Sequence, residues 1–277
     1  MRLGGYVKAP YDGPEQWARE ASRLGFRATP SPIDYRADES TVAAYREAAS
    51  KADIVIAEVG AWGNPLSQDD AVRKEAIAYA QRQLELADRI DARVCVNITG
   101  SRSDQWDGPH PDNFSDDTFA LIVDSVREII DGAKPTRSYY ALETMPWAIP
   151  DSADSYLRLI QAIDRPRMAV HFDPVNMINS PRTFYRNGDM IRDFVAKLGP
   201  YIRNGHAKDI ALGSKLTVHL SETIPGTGQL DYATFLTELN KLDPDLTLII
   251  EHLDREEDFV QAYAHIKGVA DKLNVPI

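Results

Sequence analysis

With a single cysteine in 277 residues the chain cannot close an intrachain disulfide, so Cys95, within the apolar run RVCVNI, reads as a buried thiol of a protein expected in a reducing compartment. Long apolar runs are missing too. Nowhere do about 18 consecutive apolar residues occur, which excludes an ordinary helical membrane span, and MRLGGYVKAP lacks the apolar centre of a signal peptide. These two absences set the expectation of a cytoplasmic protein without a membrane partner. Basic residues are in deficit, 31 against 42 acidic for a formal charge of -11, so the chain is not expected to be drawn to nucleic-acid phosphates. Histidine is scarce at six, too few for a trinuclear repair-endonuclease site, which needs many imidazole ligands beside a basic DNA-facing surface. No strand leads into a dinucleotide-binding glycine fingerprint, since neither Gly4 and Gly5 nor the GTG of Gly226 to Gly228 supplies one.

What is present is a regular alternation. Apolar strand-like runs, LGGYVK, FRATPS, DIVIAEV, RVCVNIT, YYALET, MAVHFD, RNGHAK and LTLIIEH, are separated by amphipathic stretches. The stretches begin near Pro14, Glu39, Asp69, Asp116, Ser152, Met190 and Tyr232, and a last one begins near Glu256. Several open on Ser, Asp or Pro, as helix N-termini prefer. Pro30 and Pro32 interrupt the second strand. Eight strand-helix pairs without a low-complexity linker predict one α/β domain over residues 1–277, a single parallel (β/α)8 barrel. An open doubly wound sheet is the alternative.

Four of the runs end on or carry chemistry-bearing side chains: Glu143, Asp173, His206 and Glu251. In a parallel barrel the C-terminal strand ends converge on one mouth, where such enzymes keep their chemistry. Strand parity puts Glu143 on the face of Ala141, Asp173 on that of His171 and Ala169, and Glu251 on that of Ile249 and Thr247. Leu142, Val170, Phe172, Leu248 and Ile250 fall on the other face, toward the helices. Three carboxylates gathered there would repel one another without a cation between them. Oxygen-rich ligation with one imidazole suits one divalent ion, manganese first, with magnesium, cobalt or zinc as alternatives.

The motifs ALETMPW, HFDPVN, GHAKD and IIEHL, in this order over the fifth to eighth strands, resemble the xylose-isomerase-like barrel superfamily of sugar isomerases, epimerases and keto-sugar dehydratases. GHAKD followed by PGTGQLDY is similar to its inosose dehydratase branch. The resemblance covers nearly the whole chain. It implies that Glu143, Asp173, His206 and Glu251 ligate the ion, that Glu143 and Glu251 also exchange protons with substrate, and that a homo-oligomer would be unsurprising. One departure stands out. Ketose 3-epimerases usually carry a histidine three residues after the sixth-strand aspartate and an arginine six after the seventh-strand histidine, where this chain has Asn176 and Leu212.

Further polar strand ends and loop residues are candidates for holding a small carbohydrate: Glu58, Asn97, His171, Lys208, Trp106 and His110. Trp62 and Trp147 share the loops of that rim with Trp106, and aromatic rings stack on sugar faces. His252 adjoins Glu251 and is expected to point away from it. The expected activity is a metal-dependent isomerisation or epimerisation of a keto-sugar or polyol through an enediolate. Dehydration or keto-glycoside cleavage at the same site is the alternative.

Overall fold

The computed structural model describes residues 1–277. Eight parallel strands close into a barrel: β1 (Arg2–Gly5), β2 (Ala28–Pro30), β3 (Val55–Gly60), β4 (Val94–Asn97), β5 (Tyr139–Glu143), β6 (Met168–Phe172), β7 (Ile202–Ala207) and β10 (Thr247–Ile250), the last pairing with both β7 and β1. Between β7 and β10 the chain inserts an antiparallel hairpin, β8 (Asp209–Gly213) with β9 (His219–Thr223). The helices are α1 (Pro14–Arg23), α2 (Glu39–Lys51), α3 (Asp70–Ile90), α4 (Asp116–Ala133), α5 (Ala153–Ile163), α6 (Pro181–Tyr185), α7 (Asn187–Leu198), α8 (Tyr232–Leu239) and α9 (Glu256–Leu273). None is long and apolar enough to cross a membrane.

The helix starts follow from local chemistry. The side chains of Asp38, Asp69, Ser115 and Asp231 accept backbone N–H groups of the first turns of α2, α3, α4 and α8, and Ser152 with Ser155 forms a reciprocal capping box at α5. Pro14 occupies the start of α1, where its missing N–H costs nothing. The expected start near Met190 falls inside α7, which begins three residues earlier at Asn187. The short α6 and the hairpin were not foreseen, because neither a five-residue helix nor a largely exposed strand carries a readable apolar period.

Side chains divide as strand parity predicts. Val94, Val96, Ala141 and Ala169 pack together as one inner cluster, and Ala28, Ala57 and Ile249 as another. Leu142, Val170, Phe172, Leu248 and Ile250 join the main core of 65 buried residues between sheet and helices. Alanine dominates the inner layers because the barrel interior is narrow. At its tightest point, a Cβ on Gly4 would lie 1.6 Å from the carbonyl oxygen of Ala28, so that position tolerates only glycine. Two register shifts matter for the mouth. Between β2 and β3 the pairing passes from Thr29↔Ile56 to Pro30↔Glu58, which skips Ala57, and between β6 and β7 it skips Arg203. The first is a bulge that re-aims a side chain, as bulges beside active sites commonly do.

Phe172 ties the layers together directly beneath the site. Fully buried, it stacks on Phe194 of α7 at 4.1 Å between ring centres and meets Phe235 of α8 edge-on at 5.5 Å. Phe172→Ala is expected to destabilise the protein by about 3–5 kcal/mol, lowering the midpoint of denaturant unfolding. A midpoint equal to wild type would show that this aromatic contact is not what anchors β6.

Candidate active site

Glu143 closes β5, Asp173 follows β6, His206 lies in β7 and Glu251 follows β10. One ligand atom from each lies within 4.8 Å of all the others, and all four residues are buried. The Nδ1 of His206 is 2.8 Å from Glu251 Oε1 and 3.4 Å from Glu143 Oε1. Lys208, two residues further on the same strand face, brings its Nζ to 2.8 Å from Asp173 Oδ2, 2.7 Å from Glu251 Oε1 and 3.6 Å from Glu143 Oε1.

The residues fit a divalent cation on their own geometry. Asp173 commits Oδ1 to the backbone N–H groups of Val175 (2.9 Å) and Asn176 (3.3 Å), which leaves Oδ2 for the centre of the quartet. Asp173 Oδ2 and Glu251 Oε1 are buried without a well-directed hydrogen bond and are balanced only by nearby charge. Buried acceptors of this kind need positive charge beside them, which Lys208 and His206 supply in part and a divalent cation would complete.

The electrostatics show the same tension. Burial pushes Glu143 up to about 7, with the His206 and Lys208 charges pulling it back only in part. For Glu251 burial acts in the same direction, but His206 and Lys208 outweigh it and hold the carboxyl well below the usual range. Burial alone would lower His206 and Lys208; the surrounding carboxylates instead raise both well above their ordinary values. His171, sealed in the barrel and beside cationic His206, is driven strongly downward and is neutral. A divalent cation among the ligands would hold all three carboxylates ionised.

Beneath the quartet, Glu58 faces the other side of the imidazole. Its Oε2 is 3.3 Å from His206 Nε2 and accepts the Asn204 amide at 2.5 Å, while Thr247 Oγ1 donates to Asn204 Oδ1 at 2.6 Å. With a side chain only 2% exposed, Glu58 is placed to orient His206, so that Nδ1 faces the ligand centre. The β3 bulge makes this possible by turning Glu58 inward, between Ile56 and Val59 of the outer core. Glu58, His171 and His206 also form a second group close enough to share an ion, but there His206 is the member already turned toward the quartet.

A cavity of about 460 Å³ opens above. It is lined by Glu143, Glu251, Lys208 and Asn176 together with Trp62, Trp106, Trp147, Glu222 and His252. Of the sugar-binding candidates, Trp106 and Lys208 lie on it. Glu58 and His171 sit below it, Asn97 is tied by its amide to the backbone of Gly63, and His110 accepts the N–H of Asp112 in the loop after β4. Trp147 donates its indole N–H to the carbonyl of Asp107, which fixes two rim loops together.

His252 does not point away, as parity suggested. Its φ of 56° takes it out of the extended conformation, so parity no longer applies, and its Nδ1 meets Glu222 Oε1 at 3.0 Å on the cavity rim. Glu222 was missed because it sits on the unforeseen hairpin. The signal that could have located the hairpin's base is Asp209, whose buried carboxylate accepts the N–H groups of Ile210, Gly226, Gly228 and Leu230 and so folds PGTGQLDY back over β8. A second large cavity, about 670 Å³, lies at the opposite barrel end among Arg46, Arg93, Arg137 and Arg203, far from these ligands.

No curated protein matches the chain in sequence. A family model described as xylose isomerase-like TIM barrel matches residues 18–269. Among solved structures, the 3-keto-D-glucoside 4-epimerase from E. coli superposes with a TM-score of 0.71 at 15% identity, covering 97% of this chain and 99% of that one. The probable 3-DHS dehydratase from Bacillus anthracis gives 0.71 at 16% identity, with 97% and 98% covered. A xylose isomerase-like TIM barrel protein from Mycobacterium smegmatis in complex with magnesium gives 0.67 at 17%, with 98% and 91% covered. At these identities the likeness speaks for the fold.

Glu58→Gln, nearly isosteric, is expected to weaken manganese binding by about 10- to 100-fold in calorimetry, the range typical of lost ligand-orienting partners. An unchanged dissociation constant in a folded variant would remove Glu58 from that role. In wild type, adding manganese at about 100 times its dissociation constant should raise stability by about 2.7 kcal/mol, seen as a higher unfolding temperature that a chelator reverses.

Proposed function

The chain belongs to the xylose isomerase-like TIM barrel family, and within it we propose a divalent-metal-dependent isomerase or epimerase acting on a small keto-sugar or polyol. The observation that carries this reading is the convergence of Glu143 and Glu251. They arrive from β5 and β10, separated around the barrel by β6 and β7, yet both reach His206 Nδ1 and both line the cavity. Two carboxylates approaching a substrate from different sides can divide the work of base and acid.

A divalent cation held by Glu143, Asp173, His206 and Glu251 would supply the positive charge that stabilises an enediolate oxygen. The protein groups do the rest. Asn176 donates its amide to Glu143 Oε1 at 2.9 Å and fixes that carboxylate against the cavity wall. Lys208, whose ammonium the surrounding carboxylates favour against burial, places a positive charge on the cavity surface, next to where oxyanion character would develop. The three exposed tryptophans wall the mouth with apolar surface suited to a sugar face. The E. coli structural neighbour is a 3-keto-D-glucoside 4-epimerase, which supports a keto-carbohydrate as substrate.

A specific observation favours a second reading, elimination of water or a glycosyl group after the same proton abstraction. Asn176 and Leu212 replace the histidine and arginine of the ketose 3-epimerase pattern, and Asn176 is an amide that cannot carry a proton between carbons. The dehydratase among the structural neighbours uses the same fold.

Incubating manganese-loaded protein with a panel of keto-sugars in deuterated water separates the readings: label gained without loss of mass is expected for isomerisation or epimerisation, and a product lighter by water or by a glycosyl group for elimination. Glu143→Gln and Glu251→Gln should each lower turnover by about 100-fold or more, as for groups that transfer protons. Full activity in both variants, or after exhaustive chelation, would overturn the metal mechanism.

A further inference from the structure

The barrel mouth holds two compartments. Beside the cavity above the ligands lies another of about 440 Å³, lined by Tyr6, Lys8, Trp62, Glu251, His252, Leu253 and Asp254. Trp62, Glu251 and His252 belong to both. Trp62 also borders a third hollow of about 320 Å³ with Tyr6 and Pro32, so its ring is the partition on which the whole rim turns.

We propose that the substrate is a two-ring carbohydrate, a glycoside: its keto-sugar ring occupies the compartment above Glu143 and Glu251, and the group attached to that ring lies across Trp62 in the compartment of Lys8, His252 and Asp254. This rests on the keto-sugar reading of the ligand site and adds to it the size and shape of what is bound.

Each compartment alone lies within the range of about 300–1,000 Å³ typical of small-molecule sites, so a monosaccharide would fill one and leave the other to water. Glu251 borders both, which puts the attached group within reach of the carboxylate that serves the reacting ring. The partition is built rather than incidental. Trp62 is 40% exposed, yet its indole lies against the end of β3, where a Cβ on Gly60 would come within 2.4 Å of Nε1. Any side chain at position 60 would push the ring away from that strand end. Gln83 clamps the same backbone, donating to the Gly60 carbonyl at 2.7 Å.

The chemistry of the second compartment suits a hydroxylated or aromatic ring. Lys8 Nζ lies over the rings of Tyr6 and Phe259, at 5.6 and 5.5 Å from their centres, so the aromatic surface holds the ammonium at the rim of this compartment. Asp254 adds acceptors and His252, braced by Glu222, adds a ring nitrogen. An apolar platform with a few donors and acceptors at its edge is how proteins hold sugar rings.

The test compares binding of one keto-pyranose and its phenyl glycoside to the manganese-loaded protein by calorimetry, for wild type, Trp62→Ala and Lys8→Ala. The affinity ratio of glycoside to free sugar is expected to be at least about 10 in wild type and to fall about 5-fold or more in each variant, as for loss of a stacking platform or a rim hydrogen bond. A wild-type ratio near one, or a ratio unchanged in both variants, overturns the proposal. Solvent-deuterium exchange into the free keto-sugar, measured in parallel, keeps the two readings apart. Exchange without a glycoside preference removes the second compartment and leaves the enzyme reading; a glycoside preference without exchange does the reverse.

Discussion

Burial of three carboxylates around one imidazole is the constraint on which the rest of the mouth depends. Glu143, Asp173 and Glu251 are each at most 5% exposed, and carboxylates so confined are stable as anions only with positive charge between them. Lys208 and His206 supply part of that charge from β7 and the residue just after it, because alternate residues share a face. The opposite movements of Glu143, upward, and Glu251, downward, follow from this geometry. Glu251 sits 2.7 Å from the ammonium and 2.8 Å from the imidazole, whereas Glu143 is 3.6 and 3.4 Å away and is left more exposed to the cost of its own burial.

Legibility of the fold tracked the regularity of the backbone. The barrel could be read because eight apolar runs alternate with capped helices, and parity assigned Ala141, Ala169 and Ile249 inward and Leu142, Phe172 and Ile250 outward as they are found. The convergence of Glu143, Asp173, His206 and Glu251 was legible for the same reason, since each stands at or beside the C-terminal end of a strand. What could not be read lies where regularity breaks. His252 leaves the strand through a left-handed conformation, and the exposed alternation of β9 hides Glu222. Glu58 was expected to meet the carbohydrate, but the side chains it faces instead, Asn204 and His206, with Thr247 behind Asn204, meet only in three dimensions.

The two kinds of residue at the mouth also differ in how they are held. The ligands stand at the ends of strands, or inside one, braced by neighbours such as Asn176, Asn204 and Tyr232, whose hydroxyl bonds the carbonyl of Lys208 at 2.7 Å. Trp62, Trp106, Trp147 and His252 stand on connections, where insertions and substitutions disturb little of the core. On the proposed reading, proton movement is assigned to groups held by the barrel, and the choice of substrate to groups held by the loops.

That division explains why the ligand set does not by itself separate isomerisation from elimination. Both begin with a proton leaving a carbon beside a polarised carbonyl, and both need the same carboxylates. They part at the next step, which depends on whether a leaving group on the neighbouring carbon is held where it can depart and on which acid faces it. In this protein the groups that would face the bond to such a substituent are Lys208, Asn176, Glu222 and His252, of which two come from the hairpin and from the turn after β10. The hairpin hangs on Asp209, whose contacts with three backbone N–H groups secure the loop from Gly226 to Leu230 against β8. A buried carboxylate outside the cavity lining thus anchors the hairpin that carries Glu222, and through Glu222 the position of His252 on the rim.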